Sequence, residues 1–190
     1  QMCIRDRRYA LRMLLFAVLS EVPFDLMYGG TVFYPVHQNV IWTLLLGLLG
    51  IRLMEAARAK GKRWLYILTC AAVVVLGFAL GTLGMVDYYG AGVLTVFAFY
   101  FFRERKWWCL LGQLAALYWL NVVVLGGQMY PVTLFGREIE LCEQGLALLA
   151  LVPIWLYRGR QGHHSKAFQY ACYAFYPAHM LVLALLTMIQ

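Results

Sequence analysis

A chain of 190 residues that is 63% hydrophobic and 16% aromatic, with 13% charged residues and a mean hydropathy of +0.70, carries more apolar side chain than a soluble surface tolerates. It reads as an integral membrane protein. The net charge of +7 is not the footprint of a nucleic-acid binder, because the basic residues stand in blocks at the ends of apolar runs.

Those blocks set the topology. Arg5, Arg7, Arg8 and Arg12 precede the first apolar run, and Arg52, Arg58, Lys60, Lys62 and Arg63 follow the second. Arg103, Arg105 and Lys106 follow the fourth, and Arg158, Arg160 and Lys166 the sixth. Of the 16 Lys and Arg, Arg137 alone falls at the opposite ends. The positive-inside rule then places the chain start in the cytoplasm and the chain end outside, with seven spans. A basic inner face also suits anionic lipid head groups or a phosphorylated cosubstrate. The five cysteines show no zinc spacing, and no structural disulfide is expected.

In chain order, residues 1–7 read as a truncation or junction segment, and residues 9–188 as one transmembrane domain of all-α class. The first span, Tyr9 to Met27, contains Glu21 and Asp25 on one helix face with Pro23 between them. A carboxylate near the centre of a spanning helix costs about 2.5–3.5 kcal/mol, so the pair marks a functional face turned to the bundle interior. Pro23 cannot donate to the Leu19 carbonyl, which predicts a kinked or broken helix. An outer loop follows, and the second span opens on Gln38 and Asn39, which read equally as a helix start and as partners for the acids.

The third span, Trp64 to Val86, carries Gly77 and Gly81 at the spacing of a close helix approach. The fourth, Tyr88 to Phe102, is short for a bilayer. The fifth, Trp107 to Met129, holds Gln113 and Asn121, read as interhelical hydrogen-bond partners. Tyr130 to Glu143 reads as a long outer segment able to lie over the site as a lid. The sixth span, Leu141 to Tyr157, contains Pro153, and His163 and His164 in the next loop read as solvated residues, not as a metal site.

The seventh span, Ala167 to Met188, holds a histidine beside a proline in Tyr176-Pro-Ala-His179. His179 lies as far beyond Lys166 as Glu21 lies beyond Arg8, so both sit about 20 Å above the inner basic ring at about 1.5 Å per residue. Equal depth on two helices suggests a Glu21–His179 pair, poised for proton transfer or pinning the helices together. No nucleophile elbow, phosphate loop or HExxH pattern is present, so any catalysis rests on acids and bases.

The run Ser20-Glu-Val-Pro-Phe-Asp25, with Arg12 before it, then Gln38-Asn-Val-xx-Thr43-Leu-Leu-Leu-Gly47, then Phe175-Tyr-Pro-Ala-His179 resembles the TraX family, known for acetylation of conjugative F-pilin. The resemblance extends over nearly all of Tyr9 to Met188. It implies a multi-spanning bacterial inner-membrane acyltransferase related to the acyltransferase-3 group. Such an enzyme takes an acyl group from acetyl-CoA or another acyl-CoA and delivers it to an amine or hydroxyl of a pilin or envelope acceptor. The family pattern has two further spans ahead of Tyr9, the first with an Asp-His pair, so the resemblance predicts that this chain alone is inactive.

By that resemblance Glu21, Asp25 and His179 are the catalytic candidates. Arg8 and Arg12 approach the anionic cosubstrate, Gln38 and Asn39 shape the acceptor end, and Tyr176 joins them in binding substrate. No metal is implied, and the partners are membrane lipid, acyl-CoA and the acceptor. Two other classes use the same residues: a proton-coupled transporter or channel with Glu21, Asp25 and His179 as a relay, and a structural envelope subunit in which the buried acids tolerate replacement.

Overall fold

The computed structural model describes residues 2–134, 136–157, 159 and 165–189. Seven α-helices follow one another: α1 (Met2–Gly29), α2 (Val40–Ala59), α3 (Arg63–Leu83), α4 (Tyr89–Phe101), α5 (Trp107–Tyr118), α6 (Leu151–Leu156) and α7 (Lys166–Ile189). A π-helix, Trp119–Leu125, continues α5, and a 3-10 helix, Glu143–Ala150, leads into α6. Strands β1 (Met129–Leu134) and β2 (Arg137–Cys142) pair as an antiparallel hairpin.

The all-α reading holds for the spanning body, and the hairpin occupies the segment expected as a long outer loop. Among the described residues four helical runs are long and apolar enough to cross a membrane: α2, α3, α5 with its π-helix, and α7. Helix α1, expected as the first span, is not one of them, since Arg12, Glu21 and Asp25 interrupt its apolar run. The expected sixth span differs most. Its first residues pair in β2, and the rest is a 3-10 turn sequence followed by the short α6. Helix α4, with 13 residues, is as short as its sequence predicts. Helix α1 begins at Met2, so it includes most of the segment set apart in the sequence. His163 and His164 lie outside the described residues.

The prolines do less than expected. Helix α1 runs through Pro23 and α7 through Pro177 without a break. A proline deletes one hydrogen bond, and neighbouring elements can hold the turns on either side of the gap. In α1 they do so: the Asn39 amide donates to the Ala17 carbonyl below the proline, and Asp25 accepts from the Tyr34 backbone N–H above it.

The core is the trio α2, α3 and α4, packed around Met54, Val73, Val86, Val93 and Phe97. Glycines permit the close approach. A Cβ on Gly50 or Gly77 would lie 2.6 or 2.7 Å from the Phe97 ring, and one on Gly81 would lie 2.9 Å from the Tyr89 carbonyl oxygen. The Gly77/Gly81 face read from sequence is therefore the α3–α4 contact. Helices α1 and α7 pack on one side of the trio, and α5, the π-helix and the 3-10 helix on the other.

Polar ties mark the two ends of the trio. At one end Tyr100 donates to Glu55 at 2.6 Å, and Arg103 and Arg58 lie 3.3 and 3.7 Å from the same oxygen. At the other end Gln38 N–H donates to the Met85 carbonyl and Thr43 to the Asp87 carbonyl. Gln113 is an interhelical partner, as expected, donating to the Phe102 carbonyl and accepting from Trp155. Asn121 is not: its amide donates back to the Leu117 carbonyl in its own helix.

Gly81→Ala should destabilise the protein by about 1–3 kcal/mol, because the added methyl meets main chain that cannot rotate away. Thermal unfolding in detergent micelles measures this as a lowered midpoint. An unchanged midpoint would show that the α3–α4 contact is looser than described.

Candidate functional site

The site is built at the N-terminus of α2. Asn39 is fully buried and caps the helix, its side-chain oxygen accepting from the Ile41 N–H at 3.0 Å. With its oxygen committed to α2, the amide nitrogen is free to grip α1, donating to the Ala17 carbonyl at 2.9 Å and to Glu21 Oε2. The Trp42 indole, one turn into α2, donates to the same Glu21 oxygen at 2.8 Å. Both expectations for Asn39 are met by one side chain.

The other acid lies one turn further along α1. Asp25 is 2% exposed, Oδ2 accepting from the Tyr34 N–H at 3.0 Å, and the two carboxylates are near enough to feel one another's charge. Three oxygens on this face, Ser20 Oγ, Glu21 Oε1 and Asp25 Oδ1, are buried without a hydrogen-bond partner. Native proteins leave few such groups, and each calls for a reason. Oxygens already desolvated are poised to take up the N–H or O–H of a bound molecule.

Glu21 and His179 do not pair. The His179 ring Nδ1 lies 3.0 Å from the Phe175 carbonyl, and the ring stacks on Phe175 and meets Tyr176 edge-on. A carbonyl only accepts, so Nδ1 carries the proton and Nε2 is the basic nitrogen of the neutral ring. Tyr176 is closer to the acids: its hydroxyl rests at the Val40 backbone N–H, within electrostatic reach of Glu21 and Asp87. Gln38 is turned away, its amide donating to the Pro35 carbonyl.

A cavity of about 610 Å³ opens between α1, α2 and α7. Tyr9, Arg12, Met13 and Phe16 line it from α1, Val40, Ile41 and Leu44 from α2, and Gln169, Tyr170, Tyr173 and Tyr176 from α7. It extends from Arg12, in the first half of α1, to Tyr176 and Val40 at the α2 N-terminus. Arg8 is not among its lining residues; its carbonyl accepts from the Arg12 guanidinium at 3.3 Å.

One pair beside this site was missed in the sequence. His37 Nε2 lies 3.4 Å from Asp87 Oδ1, with the imidazole stacked on Tyr28 and Phe24. Asp87 sits in a turn where Met85, Tyr88 and Tyr89 all have positive φ, a costly backbone held by the ties to Gln38 and Thr43. Burial pushes the Asp87 carboxyl above its ordinary range, and His37 offsets only part of that rise. The pair joins residues far apart in the chain, and the one local signal was an acid in a turn facing a loop histidine.

These features define a polytopic helical membrane protein with a buried acidic centre at a helix N-terminus. The chain belongs to the TraX protein family, whose profile matches residues 3–187. No curated protein and no solved structure matches it.

The geometry separates two roles of Asn39. Asp caps a helix as well as Asn does, but it has no amide to donate and would place a second carboxylate against Glu21. At neutral pH Asn39→Asp should therefore lower the thermal midpoint at least as far as Asn39→Ala, each by the equivalent of about 1–3 kcal/mol. Retention of wild-type stability in Asn39→Asp would mean that the bonds to Ala17 and Glu21 carry nothing.

Proposed function

We propose that this protein is a membrane-embedded acyltransferase, which takes an acetyl or other acyl group from acyl-CoA and transfers it to an amine or hydroxyl of a pilin or envelope acceptor. The observation that carries the reading is the cavity that runs from Arg12 to Val40 and Tyr176, beside the α2 N-terminus where Asn39 holds Glu21; the acids themselves are not in its lining. A volume of this size is typical of small-molecule sites, and the lining is apolar with a few polar groups at its ends. The pantetheine arm, long and flexible with two amides, fits such a channel, with a phosphate at Arg12 and the thioester near Tyr176 and Val40. Arg8, beside Arg12 on α1, adds positive charge at the mouth.

Transfer joins the acceptor nitrogen or oxygen to the thioester carbon and breaks the carbon–sulfur bond. The proton leaving the acceptor passes to a base and then to the CoA thiolate. The unpartnered oxygens of Glu21 and Asp25 are available to hold the acceptor, and His179 Nε2, next to Tyr176, is available as the base. Asn39 fixes Glu21 in place, and Gln38 adds to the outer rim of the acceptor end. In this reading the chain crosses a bacterial inner membrane seven times, with α4 and the 3-10/α6 segment as short crossings. Its start and the Glu55–Arg103 end are cytoplasmic, and the α2 N-terminus and the chain end lie toward the outside. Acyl-CoA enters from the basic side, and neither a metal nor nucleic acid has a part.

Assayed in a full-length form with the further spans expected from the resemblance, Glu21→Gln and His179→Gln should each lower acyl transfer from acetyl-CoA by about 10²–10⁴ per folded molecule, the usual loss when acid–base help is removed. The double variant should be little worse than the worse single, because groups acting on one proton transfer are not additive. Near wild-type transfer by folded His179→Gln would remove His179 from the reaction. Activity that falls only in proportion to the folded fraction would make the cluster structural.

A further inference from the structure

A second cavity, of about 340 Å³, adjoins the first across Val40 and Leu44 and is lined by α2, α4, the π-helix and the 3-10 helix. The two irregular helical segments of the structure meet around it, with Asn121 and Leu125 from the π-helix and Ala147 from the 3-10 helix in its wall. Such backbone persists at membrane depth where it is buried in protein or lines a cavity, and π-helical turns are common at functional sites.

The chemistry of the wall decides what fits. Three polar side chains line the middle of the cavity, and each has its donor committed to the protein's own main chain. Thr43 donates to the Asp87 carbonyl at 2.8 Å, Thr95 to the Ala91 carbonyl at 2.9 Å and Asn121 to the Leu117 carbonyl at 2.9 Å. The rest of the wall is largely hydrocarbon, including Val40, Leu44, Val96, Phe99, Leu117 and Ile154. A polar ligand entering here would lose hydrogen bonds to water and find few replacements. A hydrocarbon chain loses none and gains close contacts that the lining atoms otherwise lack. Polar groups stand at one end, where Tyr88 and Gln144 reach the rim near the turn and the hairpin.

We infer that this cavity is a binding site for a single fatty acyl chain, seated among α2, α4 and the π-helix with its polar head at Tyr88 and Gln144. It is separate from the cavity assigned to the cosubstrate and does not depend on that assignment. The two are divided by Val40 and Leu44, which line both. A chain seated here therefore packs against the first turns of α2. The chain can come from a membrane phospholipid or from a long-chain acyl-CoA, since both present the same hydrocarbon.

The test is photolabelling of the purified protein in detergent with a diazirine-bearing palmitic acid, followed by peptide mapping. Saturable labelling is expected on peptides containing Val96, Asn121 or Ile154. It should be lost in Ala147→Phe and in Ala150→Phe, which fill the cavity from the 3-10 helix, and kept in Leu149→Phe, whose parent residue is exposed. Competition by phosphatidylglycerol identifies a lipid chain as the natural occupant, and competition by palmitoyl-CoA identifies an acyl-CoA chain. Labelling that does not saturate and spreads over the lipid-facing helices in proportion to their exposure would overturn the site. Saturable labelling that persists at these peptides in both folded filling variants would overturn it as well.

Discussion

The bond on which the rest of this protein depends joins Glu21 to Asn39 and Trp42 across the α1–α2 interface. A buried carboxylate is stabilised by hydrogen bonds from donors that have given up their own water, each worth about 1.5–3 kcal/mol when one partner is charged. Two such donors on one oxygen offset much of the cost of taking that oxygen out of water. They also position the elements. Asn39 caps α2 with its oxygen while holding α1 with its nitrogen, so the start of α2 and the rotation of α1 are set by one side chain. The second Glu21 oxygen has no such partner, nor has one oxygen of Asp25, although both are buried.

The trio α2, α3 and α4 supplies the rigid frame. Phe97 fills the space that Gly50 and Gly77 leave open, and the α3–α4 turn carries Asp87 back over the N-terminus of α2 to meet His37. Two cavities flank this frame, one toward α1 and α7 and one toward the π-helix. The first half of α2 is the wall between them. Backbone irregularity is concentrated on the second side, whereas α1 and α7 stay helical through their prolines.

Much of this was legible in the sequence, and what was not has physical reasons. Glu21 and Asp25 stood out because hydrocarbon makes carboxylates conspicuous, and Gly77 and Gly81 because small residues at that spacing bring helices together. The depth argument for Glu21 and His179 named the wrong partner, since depth says nothing of rotation about a helix axis. His179 spends one nitrogen on the Phe175 carbonyl, and Glu21 meets α2 instead. Asn121 was read as an interhelical donor, but the nearest acceptor is one turn back on its own helix, as is common for short polar side chains. The His37–Asp87 pair and the hairpin were hidden because both depend on where loops return. At Pro23, read as a kink or a break, the helix is not broken, because one lost hydrogen bond does not end it.

The account rests most heavily on the first cavity being the place where an acyl-CoA lies, and substituted-cysteine protection tests this directly. Cysteine introduced at Met13 or Phe16, on the α1 wall of that cavity, in a protein without other cysteines would react with a small maleimide. Acetyl-CoA should slow the reaction at both positions and leave a cysteine at Val96, in the other cavity, unaffected. Equal reactivity at Met13 and Phe16 with and without saturating acetyl-CoA, in protein that still transfers acetyl groups, would contradict the account.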